Sequence, residues 1–194
     1  MLDVAGLAQK NGAVYAHVRI ADDADALNAV RIAAGGADLL LGNDMVTSGG
    51  IETLAKMDAD RARAVVNARR TMTAEFTNLP DLDFPDDKLR AAIDEATGKR
   101  ADFIDFTHLA RRLMGDTIAA NIMLLGYAFQ KGTVPISADA IERAIELNGV
   151  AIDFNKQAFT WGRRAAFDPA AIEKLAGTPD APEDTAFDLD AFIQ

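Results

Sequence analysis

The sequence predicts an α/β protein, a three-layer α/β/α fold with a small, mostly parallel or mixed sheet and a helical carboxyl-terminal half. Three observations carry this expectation. Short apolar runs alternate with stretches of helical spacing as far as Phe106. The run Asp38-Leu39-Leu40-Leu41-Gly42-Asn43-Asp44 is apolar without alternation, the pattern of a strand buried on both faces. From Thr107 onward only helical patterning remains. Strands interleaved with helices and then a run of helices stack as α/β layers.

The elements follow in order. Residues 1–5 read as the end of a strand. Val14–Ile20 alternates apolar and polar side chains behind a short polar loop, Gln9–Gly12, where Gly12 lets the backbone turn or be approached closely. Asp25–Ala34 carries apolar residues at helical spacing and stops at Gly35-Gly36. Ala37–Leu41 is the next strand, and a helix over Ile51–Met57 is entered through Ser48-Gly49-Gly50. Ala64–Val66 is a short strand. Pro85 opens a helix with Asp86 and Asp87 that runs to Ala96 and closes at Gly98. Ala101–Phe106 is the last strand.

In the helical half, Thr107 is the expected N-cap of a helix reaching Gly115, and Asp116–Gln130 continues with solid apolar character. Ser137 caps a helix ending at Asn148-Gly149, Val150–Arg164 follows, and Asp168-Pro169 starts a last helix closed by Gly177. No internal repeat is visible. Residues 1–177 read as one domain. Thr178–Gln194 has two prolines, five acidic residues and the hydrophobes Phe187, Leu189, Phe192 and Ile193, and reads as a loosely held tail.

Composition bounds the function. The 194 residues are 49% hydrophobic and 26% charged, which suits one globular domain with a core. A net charge of −10 disfavours phosphate-tracking nucleic-acid binding. The absence of cysteine removes disulfides, thiolate zinc sites, cysteine nucleophiles and iron–sulfur ligation by this chain, and fits a reducing cytoplasm. The longest apolar stretch, Ile118–Phe129, is broken by Asn121 and Gly126 and is too short to cross a bilayer. Asp3 stands where a signal peptide would carry positive charge. The expectation is a cytoplasmic protein with no nucleic-acid or membrane partner.

Candidate chemistry is sparse. His17 and His108 cannot form a metal site alone, and both read as structural. The acidic loop Asp81–Asp87 lacks a calcium ligand order, and it reads as a solvated helix start whose charge suits the dipole. Thr47-Ser48-Gly49-Gly50 follows a strand end and precedes a helix, so it is either an anion-binding turn or a plain connector. No Gly-x-Ser-x-Gly elbow and no phosphate loop occur. Lys10 and Arg19 are cations in or beside the opening loop of an acidic protein, able to neutralise a ligand's phosphate or carboxylate or to stand as ordinary surface charges. Gly126 and Gly162 allow helices to pack closely.

These landmarks resemble, as a collinear set over about residues 1–175, the γ-type domain of 2-oxoacid:ferredoxin oxidoreductases, with the indolepyruvate branch nearest. The matching stretches are Gly6–Ile20, Ala37–Asp44, Ala64–Asn67, Ala110–Asp116, Asn121–Gly126, Ala140–Gly149 and Asn155–Gly162. The resemblance implies oxidative decarboxylation of a 2-oxo acid, an aryl pyruvate in this branch, to an acyl-CoA, with electrons passed to ferredoxin. It implies thiamine diphosphate, iron–sulfur clusters and coenzyme A in the full enzyme, the hard chemistry being held by other domains or subunits. This chain has neither a Gly-Asp-Gly…Asn thiamine-diphosphate motif nor cysteine for a cluster.

The family's γ domain opens with a strand, a glycine-rich turn and a helix ahead of the Leu2-Asp3-Val4 stretch, so the resemblance implies an amino-terminally incomplete domain. The chain is then either a fragment of a longer polypeptide or a variant with those elements supplied elsewhere. An edge left open in this way favours self-association, and a homodimer is one expectation.

The expected role is a component that supports assembly and the coenzyme A/substrate side of the site and is not competent alone. No residue is expected to be catalytic, no metal site is expected, and this chain is expected to bind no cofactor by itself. By the resemblance Lys10, Asn11 and Gly12 face ligand or partner, with Arg19, Asn43 and Asp44 as further positions. The rival reading is a non-catalytic α/β ligand-binding or assembly module that shares only the layered fold.

Overall fold

A computed structural model of the chain describes the backbone of residues 2–8 and, in full, residues 14–23, 25, 27, 29–69 and 85–178. Strands β1 (Leu2–Ala8) and β2 (Val14–Ile20) pair antiparallel as a hairpin, Val4 opposite Val18. A separate parallel sheet has the order β3-β4-β5, from β3 (Leu39–Gly42), β4 (Arg63–Asn67) and β5 (Ala101–Ile104). Its register sets Leu40 beside Ala64 and Ala64 beside Ala101.

Alternation along β4 divides the core. Ala64 and Val66 join Met45 and Ile93 in one buried cluster, formed with α1 (Met45–Ser48), α2 (Ile51–Leu54) and α3 (Asp86–Ala96). Val65, between them in sequence, joins the opposite cluster with α4 (Phe106–Met114) and α5 (Ala120–Gln130). Successive strand residues point to opposite faces, so the sheet is the middle layer of three, as the sequence predicts.

The helical half follows its local signals. A short 3-10 turn, Thr117–Ala119, leads into α5. Ser137 caps α6 (Ala138–Asn148), accepting the Ala140 N–H at 3.2 Å. Asp168 separates α7 (Ile152–Phe167) from α8 (Pro169–Ala176) and caps the latter through Ala171 N–H at 3.1 Å. Helices α4 and α6 end on Gly115 and Gly149 at φ +77° and +73°, a conformation that costs glycine little. Arg112 Nε donates to the Ala176 carbonyl at 2.9 Å and His108 Nε2 to that of Gly177 at 3.1 Å. These bonds satisfy the carbonyl end of α8, where positive charge is favoured.

Helices α5 and α7 cross at their glycines. A Cβ built on Gly126 would strike the Phe159 carbonyl oxygen, and one on Gly162 would strike that of Met123. The close packing expected of these two residues is present. Asn121 is exposed and needs no buried partner.

Four local expectations are corrected. Asp25–Ala34 is not an α-helix among its described residues. The segment instead lies along β2, where Arg19 donates to Ala29 O at 2.7 Å and Ile32 N–H donates to His17 Nδ1 at 3.0 Å. Side chains of the strand thus take backbone groups that a helix would have used. The cap of α4 is Asp105, not Thr107, with His108 N–H on its Oδ1 at 2.7 Å, so β5 ends at Ile104 and Phe106 is already helical. The helix expected over Ile51–Met57 stops at Leu54, a further short helix, α1, precedes it, and Met57 bridges to Ala37. Helix α7 begins at Ile152 and runs on to Phe167, past the expected end at Arg164. The tail beyond residue 178 and the acidic residues 81–84 lie outside the described residues.

Candidate functional site at the strand ends

Parallel sheets bind ligands in the crevice beyond the carboxyl ends of their strands, and here those ends are tied by one side chain. Asn67 closes β4, the middle strand, and is buried. Its Nδ2 donates to the Asn43 carbonyl just after β3 at 3.3 Å and to the Thr107 hydroxyl oxygen just after β5 at 2.9 Å. A carbonyl oxygen only accepts, so the Asn43 bond sets which end of the Asn67 amide is the donor. Oδ1 then accepts the Arg69 backbone N–H at 3.4 Å.

Beside this crevice, α1 and α4 each give one helix-start N–H to a carboxylate of the chain. Asp44 Oδ1 accepts the Thr47 N–H at 2.7 Å, and the Ser48 hydroxyl donates to Asp44 O at 2.5 Å. Gly42 is required because a Cβ there would collide with the Ser48 hydroxyl. Asp105 caps α4 in the same way. Thr47–Gly50 closes α1 and leads into α2, whose N-cap, Gly50, has no side-chain cap bond.

The hairpin stands beside this region, since a Cβ on Gly50 would lie 3.8 Å from the Tyr15 hydroxyl. Its inner side is polar. Tyr15 and Arg19 are half-buried, and His17 is 7% exposed with its pKa lowered by burial and by the neighbouring cations Lys56 and Arg31. Accepting from Ile32 at Nδ1 requires that nitrogen to be unprotonated. The other face of β2 exposes Val14, Ala16, Val18 and Ile20.

The structure therefore brings Asn43 and Asp44 to the strand-end crevice. Asn43 is exposed there, and Asp44 is half-buried with its carboxylate engaged as a cap. Arg19 sits on the hairpin with its guanidinium on the Ala29 carbonyl. Lys10, Asn11 and Gly12 lie outside the described residues. Asn67 and Thr107 are crevice residues that sequence reasoning did not single out as site positions. A polar residue directly after the apolar run Ala64–Val66 is the signal that marks Asn67. Among the described residues no group of three histidine or acidic side chains converges to hold a metal ion. None of the described helices is long and apolar enough to cross a membrane.

Fold and strand-end geometry together define a layered α/β domain with a parallel sheet. The profile of the pyruvate ferredoxin/flavodoxin oxidoreductase family matches residues 1–165, and the chain belongs to that family. It is similar to the indolepyruvate oxidoreductase subunit IorB of Archaeoglobus fulgidus, at 26% identity over 175 residues, spanning 86% of this chain and 81% of the relative. The chain is thus a component of a 2-oxoacid oxidoreductase.

Proposed function

We propose that this chain is the γ-type component of an oxidoreductase that decarboxylates an aryl pyruvate, indolepyruvate in kind, to its acyl-CoA with ferredoxin as acceptor. It supports assembly and the coenzyme A/substrate side of the site, and it is not competent alone. The observation that carries this reading is the Asn43–Asn67–Thr107 tie, which joins the carboxyl ends of the three described parallel strands inside the family-matching span. Lys10, Asn11 and Gly12 are proposed to face ligand or partner, with Arg19, Asn43 and Asp44 around them.

Thiamine diphosphate and iron–sulfur clusters do not fit this chain. It has no cysteine for a cluster and no Gly-Asp-Gly…Asn motif, so other domains or subunits of the same enzyme carry those groups. The relative is named as a subunit, which supports partners of that kind. An assembly role is favoured by β2, whose solvent face is apolar while its polar side chains turn inward. Two-stranded hairpins are marginal by themselves and gain stability from a covered face.

Affinity capture of the tagged full chain from its own cells tests the reading. The expected result is recovery with thiamine-diphosphate and cysteine-cluster polypeptides, or their presence in the same polypeptide. Capture without either would contradict it.

A further inference from the structure

Two side chains next to Asn67, those of Thr107 and of Arg69, whose backbone N–H meets Asn67 Oδ1, carry donors with no acceptor among the described residues. The Thr107 hydroxyl oxygen accepts from Asn67, and its own proton has no acceptor there. A hydroxyl carries one proton besides its lone pairs, so Asn67 leaves Thr107 a donor toward whatever enters. Arg69, two residues beyond Asn67, is half-buried, and its guanidinium makes no ion pair among the described residues. Many other cations of this −10 chain are engaged: Arg61 with Asp38 and Asp58, Arg90 with Asp86, Lys131 with Asp102, and Lys156 with Glu142 and Glu146. Lys56, also half-buried, lies by His17 and away from the strand ends.

Asp44 and Asp105 take the Thr47 and His108 N–H groups at the starts of α1 and α4, so those two donors are closed to an incoming anion and its charge falls to side chains. We propose that Arg69 and the Thr107 hydroxyl form an oxyanion-binding site that takes a carboxylate or phosphate group of the ligand, with Asn67 as the positioning residue. Guanidinium suits this task because its planar donors match two oxygens of such a group. The proposal rests on the crevice being the ligand-facing surface, as proposed above.

The test titrates the full chain with inorganic pyrophosphate and, separately, with phenylpyruvate, following amide shifts and affinity. At least one probe is expected to bind and to shift Asn43 and Thr107. Arg69→Gln is expected to weaken that binding by roughly ten- to a hundredfold, the weight of a hydrogen bond to a charged group. Thr107→Val should weaken it too, and Thr107→Ser should restore it. Selective binding of pyrophosphate assigns the site to a phosphate, and selective binding of phenylpyruvate assigns it to the 2-oxo acid's carboxylate. Crevice shifts with undiminished affinity in Arg69→Gln would overturn the role of Arg69 while leaving the crevice reading intact. Binding without crevice shifts, or no binding of either probe, would overturn the proposal.

Discussion

Asn67 Nδ2 lies 2.9 Å from the Thr107 hydroxyl oxygen, joining the end of the central strand to the first turn of the helix after β5. The same nitrogen holds the Asn43 carbonyl at 3.3 Å. Removing this amide takes a donor from the half-buried Thr107 hydroxyl and from the Asn43 carbonyl at once. Asn67→Ala is therefore expected to cost about 1–3 kcal/mol of stability, read from the denaturant midpoint at unchanged slope. A variant as stable as the parent would show that the tie is incidental.

Gly126 and Gly162 are predicted to be intolerant of alanine, because each Cβ meets a backbone oxygen of the opposite helix and backbone cannot step aside. Each substitution should lower stability by about 1–3 kcal/mol or more. The pair should be non-additive, since one displaced helix relieves both contacts. Thermal melts of the two single variants and the double variant read this directly. Strict additivity would argue against a shared crossing.

His17 should make the hairpin acid-sensitive. Its folded pKa is lowered, first by burial and then by Lys56 and Arg31, from the ordinary 6.5. The unfolded chain therefore takes up the proton first as pH falls. The stability it confers is complete above about 6.5 and is lost as pH drops through that value toward the folded one. Protonation also removes the acceptor for Ile32 N–H. Exchange of the Ile32 amide should rise in that window, and His17→Gln should flatten the dependence. An unchanged pH profile in the variant would contradict this.

Tyr127 predicts the opposite sign at the alkaline end. Burial, reinforced by the Asp102 carboxylate, raises its pKa from 10.0 to about 12. The unfolded chain loses that proton first, so stability is complete below about 10 and falls as pH rises toward 12. Ultraviolet titration should show a phenol ionising near 12 that disappears in Tyr127→Phe. Its survival in the variant would be inconsistent with the assignment.

Much of the fold was legible because the local signals agreed with the tertiary outcome. Val14–Ile20 alternates and is a strand over those residues, while Ser137, Asp168, Gly115 and Gly149 mark helix ends by their own chemistry. Asp25–Ala34 misled because its spacing is helical, yet His17 and Arg19, distant in sequence, claim its backbone. Thr107 and Asp105 are both good caps. Which one acts depends on where β5 stops pairing with β4, a tertiary fact. Asn43 and Asp44 were legible as strand-end residues. The tie through Asn67 depends on groups meeting across 24 and 40 residues, which no spacing reveals.

The central claim is that this chain works only as a component. Its most direct measurement is arylpyruvate-dependent and coenzyme A-dependent reduction of a dye, with the purified chain, its thiamine-diphosphate and iron–sulfur partners, and the two combined. Activity is expected in the combined sample and absent from the chain alone. Reduction by the isolated chain, or full activity of the partners without it, would contradict the account.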